Sequence, residues 1–321
     1  MLLHRLPVSN MGFSYLFGPV PSRRLGVSLG IDLVPLKTCS YNCVYCECGK
    51  TTDLKVERKE YFPTAEIILE LDEYLSTRPN LDFITFAGSG EPTLHMGLGE
   101  IARHIRERYP EYRIALLTNG SLLPDPEVRR EVADIHVVIP SLDAASERVF
   151  KKIDRPCASL SAAAIIDGLV ALKQEHPGEV WLEIFVIPGV NDTDEELALL
   201  ADAVRRIAPD LVQLNGLDRP GIADWVRAPT EAEMTRVRDR LGYPATEIVK
   251  SPTTRTDIPS FSQDTLESIL LIIRRRPSTI EDLARICGLH PNEIRKYTDT
   301  LATEGLIAER FEERGVFYVS V

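Results

Sequence analysis

Phe83-Ile-Thr-Phe-Ala-Gly-Ser-Gly-Glu-Pro92, Arg113-Ile-Ala-Leu-Leu-Thr-Asn-Gly120 and Ile135-His-Val-Val-Ile-Pro-Ser-Leu-Asp143 repeat one pattern. A short apolar run breaks into a polar or glycine-rich turn, and helical apolar spacing follows. The runs read as strands over Phe83–Phe86, Arg113–Leu117 and Ile135–Ile139. The rhythm extends in both directions. Upstream lie a strand at Gly26–Leu33 and a helix at Pro63–Thr77, with Ile67, Ile68, Leu71 and Leu75 at helical spacing. Between the quoted runs, helices are expected at Leu98–Arg108 and Asp125–Glu131. Downstream, helices Ser159–Glu175 and Thr193–Ile207 precede strands Val180–Ile187 and Leu211–Leu214. Six such units predict an α/β fold with a parallel sheet and crossover helices, arranged as a partial, TIM-like (β/α)6 barrel. The polar turns all fall at the C-terminal ends of strands, the edge that carries the active site in such barrels.

The pattern stops near Lys250. Residues 1–250 are expected to form the main domain and residues 251–261, rich in Pro, Ser and Thr, a linker. Residues 262–321 read as three helices (Asp264–Arg275, Ile280–Cys287 and Pro291–Glu304) and two strands (Leu306–Arg310 and Val316–Val321). That order predicts a small winged helix-turn-helix domain.

The chain has 321 residues, 44% apolar and 26% charged, which is the composition of a globular protein. A net charge of -11 and a pI near 5.2 weigh against a nonspecific nucleic-acid binder, without excluding a local basic face. No apolar run is long enough for a transmembrane helix, and Met1–Asn10 lacks the core of a secretory signal. The expected location is the cytoplasm. Four of the six cysteines, Cys39, Cys43, Cys46 and Cys48, lie within ten residues, which favours metal binding over a disulfide framework.

The spacing of Cys39-Ser-Tyr-Asn-Cys43-Val-Tyr-Cys46 is C-x3-C-x2-C. Three thiolates on one loop can bind three irons of a 4Fe–4S cubane and leave the fourth open. The open iron can take the amino and carboxylate groups of a methionine moiety, and an electron passed to the sulfonium then breaks a C–S bond. A zinc loop with Cys48 as fourth ligand is the alternative reading of the same spacing.

At these residues, with Tyr45 before the last cysteine, the chain resembles the radical S-adenosylmethionine (SAM) superfamily over roughly residues 18 to 250. Gly18-Pro-Val-Pro-Ser-Arg-Arg-Leu-Gly26 looks like the wybutosine-synthesis branch and the strand-end motifs like the molybdopterin-biosynthesis branch. The resemblance implies a 4Fe–4S cluster on Cys39, Cys43 and Cys46, SAM as second cofactor, and an external electron donor such as ferredoxin or flavodoxin. It implies that Gly88, Ser89, Gly90 and Glu91 bind the methionine ammonium and that Thr118, Asn119 and Ser141 contact the methionine end or ribose. Asp143 would lie at the ribose hydroxyls, and Ile187, Pro188 and Gly189 beside the adenine. The chain departs from both branches in cysteines. None precedes Cys39, and only Cys157 and Cys287 follow the loop, so a second cluster is not expected.

Other polar residues carry weaker signals. Arg23 and Arg24 suit an anionic substrate or a solvated turn. Asn215 suits a ligand contact or a turn, and His95 suits a place near the cluster mouth or a surface or packing position. Cys48 and Cys157 are small buried residues or hydrogen-atom donors, and Cys287 is expected in the core. The small domain carries eight Lys/Arg against ten Asp/Glu, with Asn292, Arg295 and Lys296 on its presumed recognition helix. Three functions follow: a radical enzyme acting on tRNA or a protein/peptide docked by the winged helix, a radical enzyme acting on a small metabolite, or a redox-sensing transcription regulator.

Overall fold

The computed structural model describes residues 14–22, 24–218, 221–249, 265–287, 289 and 291–321. Met1–Asn10, Arg23 and the expected linker lie outside the described residues, as do the side chains of Asn292, Glu293 and Lys296. The chain opens with β1 (Leu16–Ser22), β2 (Gly26–Asp32) and two short strands, β3 (Thr38–Cys39) and β4 (Asp53–Leu54). It continues through α1 (Thr64–Leu75), β5 (Phe83–Ala87), α2 (Leu98–Arg108), β6 (Arg113–Thr118), α3 (Pro126–Glu131) and β7 (Val137–Pro140). Then come α4 (Glu147–Ile153), α5 (Ala162–Glu175), β8 (Glu179–Phe185), α6 (Asp194–Ile207), β9 (Leu211–Asn215), α7 (Glu231–Leu241) and β10 (Thr246–Ile248). The last elements are α8 (Thr265–Arg275), α9 (Ile280–Cys287), α10 (Pro291–Thr303), β11 (Ile307–Glu312) and β12 (Gly315–Ser320).

Eight strands form one sheet in the order β1-β2-β5-β6-β7-β8-β9-β10. All pairs are parallel except β1 with β2. All six expected strands are present, with two more at the ends. β1 contains Gly18, Pro19 and Pro21, a loop composition that only an edge strand tolerates. β10 is three residues long, below what periodicity can detect.

The sheet curls. Arg24, in the β1–β2 turn, forms an ion pair with Glu183 on β8, although β5, β6 and β7 stand between β2 and β8. In a flat sheet these strands would be about 19 Å apart, so the two side chains meet only across a concave interior. Strand parity divides the side chains accordingly. Ile84, Phe86, Ile114, Leu116, Leu182 and Ile184 face the helices in the main core. Leu25, Phe83, Ala115, Val137 and Ile139 cluster on the concave side. From α1, Ile67, Leu71 and Leu75 are buried in the main core and Ile68 packs partly buried against it, as the spacing predicts.

Helices α8 to α10 and the β11–β12 hairpin enclose a separate core that includes Ile269, Ile273, Leu283, Ile294, Leu301 and Cys287. Burial pushes the Cys287 thiol up to about 11, which suits a packing role. Arg310 pairs with Asp224, and Arg314 with Asp218, tying this unit to the loop after β9.

His176 caps the C-terminus of α5 in a dry position, and among the described residues neither ring nitrogen has a hydrogen-bond partner. Burial, followed by the Lys173 charge, lowers its pKa from 6.5 to about 4. The unfolded chain therefore takes up a proton below about pH 6.5 that the folded chain refuses until about pH 4, so His176 destabilises the fold progressively across that window. Relative to His176→Phe, the wild type should lose on the order of 2 kcal/mol of unfolding free energy between pH 7 and pH 4.5 in denaturant titrations. A constant difference between the two proteins across that range would refute this assignment.

Candidate active site

The cysteine loop lies across the C-terminal ends of the strands, fastened from two sides. Cys39 sits in β3, which pairs with β4 through Thr38↔Asp53 and Cys39↔Leu54. Asn42 N and Val44 N donate to Asp154 O and Ile153 O at the end of α4, both at 2.9 Å. Tyr41 and Val44 are buried in the main core, whereas Cys39, Cys43, Tyr45 and Cys46 stay partly accessible. The apolar residues between the cysteines thus anchor the loop, and the thiols remain on its open side.

Polar hydrogens converge on these sulfurs. Asn119 Nδ2 donates to Cys39 Sγ at 3.5 Å, and Lys37 Nζ to Cys46 Sγ at 3.1 Å. Cys43 Sγ donates to Asp154 Oδ1 at 3.7 Å. Burial pushes Cys39 up to about 12 and Cys43 well above the usual thiol range. Cys46 is lowered to about 6, first by a hydrogen bond from Cys48 and then by the Lys37 charge. Cys39 and Cys43, whose thiols burial raises, hold negative charge only against a strong cation, which an iron cluster would supply. The donor set therefore fits a cluster: three thiols on one loop, with N–H groups directed at two of the sulfurs. Cys48 lies beside Cys46, and its Sγ is also 2.8 Å from Arg275 O, to which it donates. Among the described residues no three His, Cys, Asp or Glu side chains close around a single-ion position. Cys157 is held beside the loop, its N donating to Ser40 O at 3.0 Å.

The turn after β5 packs directly on the segment leading to Cys39. A Cβ at Gly90 would lie 2.1 Å from Thr38 O, so only glycine fits there. Glu91 N donates to the same carbonyl at 3.1 Å, and Lys37 N donates to Ser89 O at 2.8 Å. Gly88 has φ +118, and its missing side chain leaves room for the Asp32 carboxylate. Asp32 Oδ1 accepts from Ser89 N at 3.2 Å. Glu91 is 1% exposed and accepts four hydrogen bonds: from Thr93 N, the Thr93 and Thr118 hydroxyls, and Asn119 N. Burial raises its pKa against those four donors. Gly88, Ser89, Gly90, Glu91, Thr118 and Asn119 are thus one connected unit, and Asn119 links it to the cysteines.

The next two strand ends form a second unit. Ser141 N donates to Thr118 O at 3.0 Å. Asp143 Oδ1 accepts from Phe185 N at 2.7 Å, and Oδ2 accepts from the Tyr45 hydroxyl. The Tyr45 ring stacks on Phe185 with centroids 3.9 Å apart. Asp143 and Asp154 form a buried carboxyl pair, and burial pushes Asp143 up to about 6 and Asp154 further still. Ile187 is buried, Pro188 partly buried and Gly189 exposed. Asn191 shapes this turn, accepting from Ile187 N and donating to Asp143 O and Phe185 O.

Asn215 Nδ2 donates to Glu183 Oε1 at 3.4 Å, so Asn215, Glu183 and Arg24 meet on the concave side. His95 is fully buried, accepting from Gly97 N and bonded to Phe62 O, and burial lowers its pKa. It is a packing histidine away from the cysteine loop. Sequence reading passed over Lys37, Asp32 and Asn191. Lys37 carries a usable signal, a cation two residues before the first cysteine. Asp32 and Asn191 carry none apart from their position at strand ends.

The radical SAM superfamily profile matches residues 33–201. A UPF0026 protein of Helicobacter pylori is 32% identical over 288 residues, covering 89% of this chain and 91% of that protein. A protein named GTPase Obg from Brachyspira hyodysenteriae is 35% identical over 301 residues, which is 91% of this chain but 43% of its own length. Among solved structures, a radical SAM methyltransferase from Sphaerobacter thermophilus superposes with a TM-score of 0.55 at 18% identity, covering 69% of this chain and 65% of that one. The likeness is one of fold. No helix among the described residues is long and apolar enough to cross a membrane. The chain belongs to the radical SAM superfamily and to the UPF0026 proteins, and it is an enzyme whose cofactors are a 4Fe–4S cluster and S-adenosylmethionine.

Proposed function

We propose that the chain abstracts a hydrogen atom from an RNA substrate, using a 4Fe–4S cluster held by Cys39, Cys43 and Cys46. The observation that carries the cluster assignment is the loop itself: three thiols held over the strand ends, with Lys37 and Asn119 donating to two of them. When bound, the reduced cluster supplies the electron that splits a C–S bond of SAM, releasing methionine and a 5′-deoxyadenosyl radical that takes hydrogen from the substrate. The protein's own part is orientation. The carbonyls and carboxylate of the Gly88–Glu91 turn suit an ammonium group, with Thr118, Asn119 and Ser141 alongside. Asp143 is assigned to the ribose side, its buried carboxyl already braced by Phe185 N and the Tyr45 hydroxyl, and Tyr45 on Phe185, with Ile187, Pro188 and Gly189, would form an apolar wall for the adenine. The resemblance of the Gly18–Gly26 segment and of the strand-end turns supports a reading near the wybutosine and molybdopterin branches. A ferredoxin or flavodoxin supplies the electron, and a reducing cytoplasm suits a cluster on partly accessible thiols. The family makes the chain an enzyme, which sets the regulator reading aside.

The RNA assignment rests on the junction with residues 265–320, which we read as a winged helix of three helices and a hairpin. A cavity of about 230 Å³ opens there, lined by Cys46, Cys48, Lys50, Arg274 and Arg310 among others. Lys50 and Arg274 are exposed at its rim. Lys50 and Arg274 thus place cations beside the last cysteine of the loop, next to Glu47 and to an Arg310 already paired with Asp224, and an anionic backbone would be held there.

Anaerobic reconstitution should load about four irons, the capacity of one cubane, measured by iron and sulfide analysis. Ala at Cys39, Cys43 or Cys46 should abolish loading, while Cys48→Ala should retain it. Equal loss in Cys48→Ala would show that the ligands are misassigned. With reductant, the loaded enzyme should release 5′-deoxyadenosine and methionine.

Bulk tRNA should bind the full chain, and Lys50→Ala/Arg274→Ala should weaken binding about tenfold and lower the salt slope by about 1.5. Binding that is indifferent to both variant and salt would overturn the RNA reading. So would a metabolite or peptide pool, rather than RNA, suppressing unproductive SAM cleavage.

A further inference from the structure

Arg275 is the last residue of α8 and lies 243 positions from Asp32 in sequence. The structure joins them: Arg275 Nε donates to Asp32 Oδ2 at 2.7 Å, with side chains only 17% and 12% exposed. Two further contacts fix the residue. Its guanidinium lies over the Phe17 ring, 4.9 Å from the centroid. Its carbonyl, one of the acceptors a helix end leaves open, takes the Cys48 thiol at 2.8 Å. One residue of the C-terminal unit therefore touches both the cysteine loop and the carboxylate beneath the Gly88–Pro92 turn.

Asp32 is the middle of a relay. Its Oδ1 accepts from Ser89 N at 3.2 Å while Oδ2 holds Arg275. It also fills the space beside Gly88, where a Cβ would come within 1.7 Å of Oδ1. Lys37 N fixes the other side of the same residue by donating to Ser89 O at 2.8 Å. The orientation of the Ser89 peptide is thus set by Asp32 on one side and Lys37 on the other. Removing Arg275 would leave a buried carboxylate without its counter-charge, a strongly unfavourable arrangement that drives the group to turn or to take a proton. Turning would release Ser89 N–H, and protonation would weaken its bond by removing the charge that strengthens it.

We propose that Arg275 is a positioning residue of the SAM site, so that the C-terminal unit completes the cofactor site as well as meeting the substrate. The proposal rests on the reading that the Gly88–Pro92 turn seats the methionine end of SAM. The unit expected from sequence to dock a substrate would then also act on the cofactor site. Arg275 acts through Asp32 and Ser89 and touches no reacting atom.

The test is SAM affinity of the full-length, cluster-loaded protein, measured by equilibrium dialysis, together with the change in the EPR spectrum of the reduced cluster when SAM is added. Arg275→Met should weaken SAM binding about tenfold and diminish the spectral change, at unaltered iron content. Arg275→Lys should recover part of both. Asp32→Asn/Arg275→Met should recover most of the affinity, because Asn keeps an acceptor for Ser89 N and leaves no buried charge. Wild-type affinity in Arg275→Met, or a double variant no better than the single one, would overturn the proposal. If Arg275→Met fails to load iron, Arg275→Lys and the neutral double variant decide the matter, and equal wild-type affinity in both would sink it. Glu91→Gln separates the two readings. If it weakens SAM binding while Arg275→Met does not, only the role of Arg275 fails. If neither has an effect, the turn is not the seat of the methionine end.

Discussion

The site is built on a backbone-to-backbone contact between the turn after β5 and the segment before Cys39. Gly90 has no room for a side chain against Thr38 O, and Glu91 N donates to that same oxygen. The contact sets the height of the first cysteine above the strand ends. Everything beyond it inherits that height: Asn119 reaches Cys39 because Glu91 holds Asn119 N, and Lys37 reaches Cys46 because Ser89 O holds Lys37 N. A larger residue at position 90 would do more than remove a ligand contact. It would lift one motif off another.

Charge is handled in a consistent way around this contact. Asp32, Glu91, Asp143 and Asp154 are all buried, in a chain that is acidic overall. Asp32, Glu91 and Asp143 each accept a backbone N–H, from Ser89, Asn119 and Phe185 respectively. Burial raises all four pKa values. These carboxyls act first as struts, because a carboxylate can accept several hydrogen bonds from different strands at once. Bracing of this kind therefore calls for the same residue type at successive strand ends.

Much of this was legible in sequence, for a physical reason. Strand parity, helical spacing and turn chemistry are local, so the six strands, the buried stripe of α1 and the polar turns could be read directly from short windows. The cysteine spacing likewise reports one loop. Two things were hidden. β1 carries Gly18, Pro19 and Pro21, whose composition describes a loop, and its strand character comes from its place at the edge beside β2. The Arg275–Asp32 and Arg24–Glu183 pairs join residues that no window contains. Periodicity identifies the face of an element but not which distant element will meet it. The second core also made residues 265–320 look self-sufficient in sequence, although their ion pairs run across to Asp32, Asp218 and Asp224.

The concave side of the sheet shows how the open barrel divides its volume. A closed barrel fills its interior with layers of branched apolar side chains. Here Leu25, Phe83, Ala115, Val137 and Ile139 make such a layer, but other inward positions are polar. Ser28 bonds Thr85 across β2 and β5, Asn215 bonds Glu183, and Glu183 pairs with Arg24. Gln213 is 1% exposed and donates to Glu247, while among the described residues its Oε1 has no partner. Buried polar groups weaken a core unless their partners are complete. Replacing the whole Arg24–Glu183 pair by apolar residues of similar volume would cost little or nothing in stability. Polar groups kept in the curled interior therefore have their physical reason in what the interior must accommodate, and the apolar layer that shares it is what holds the curled sheet together.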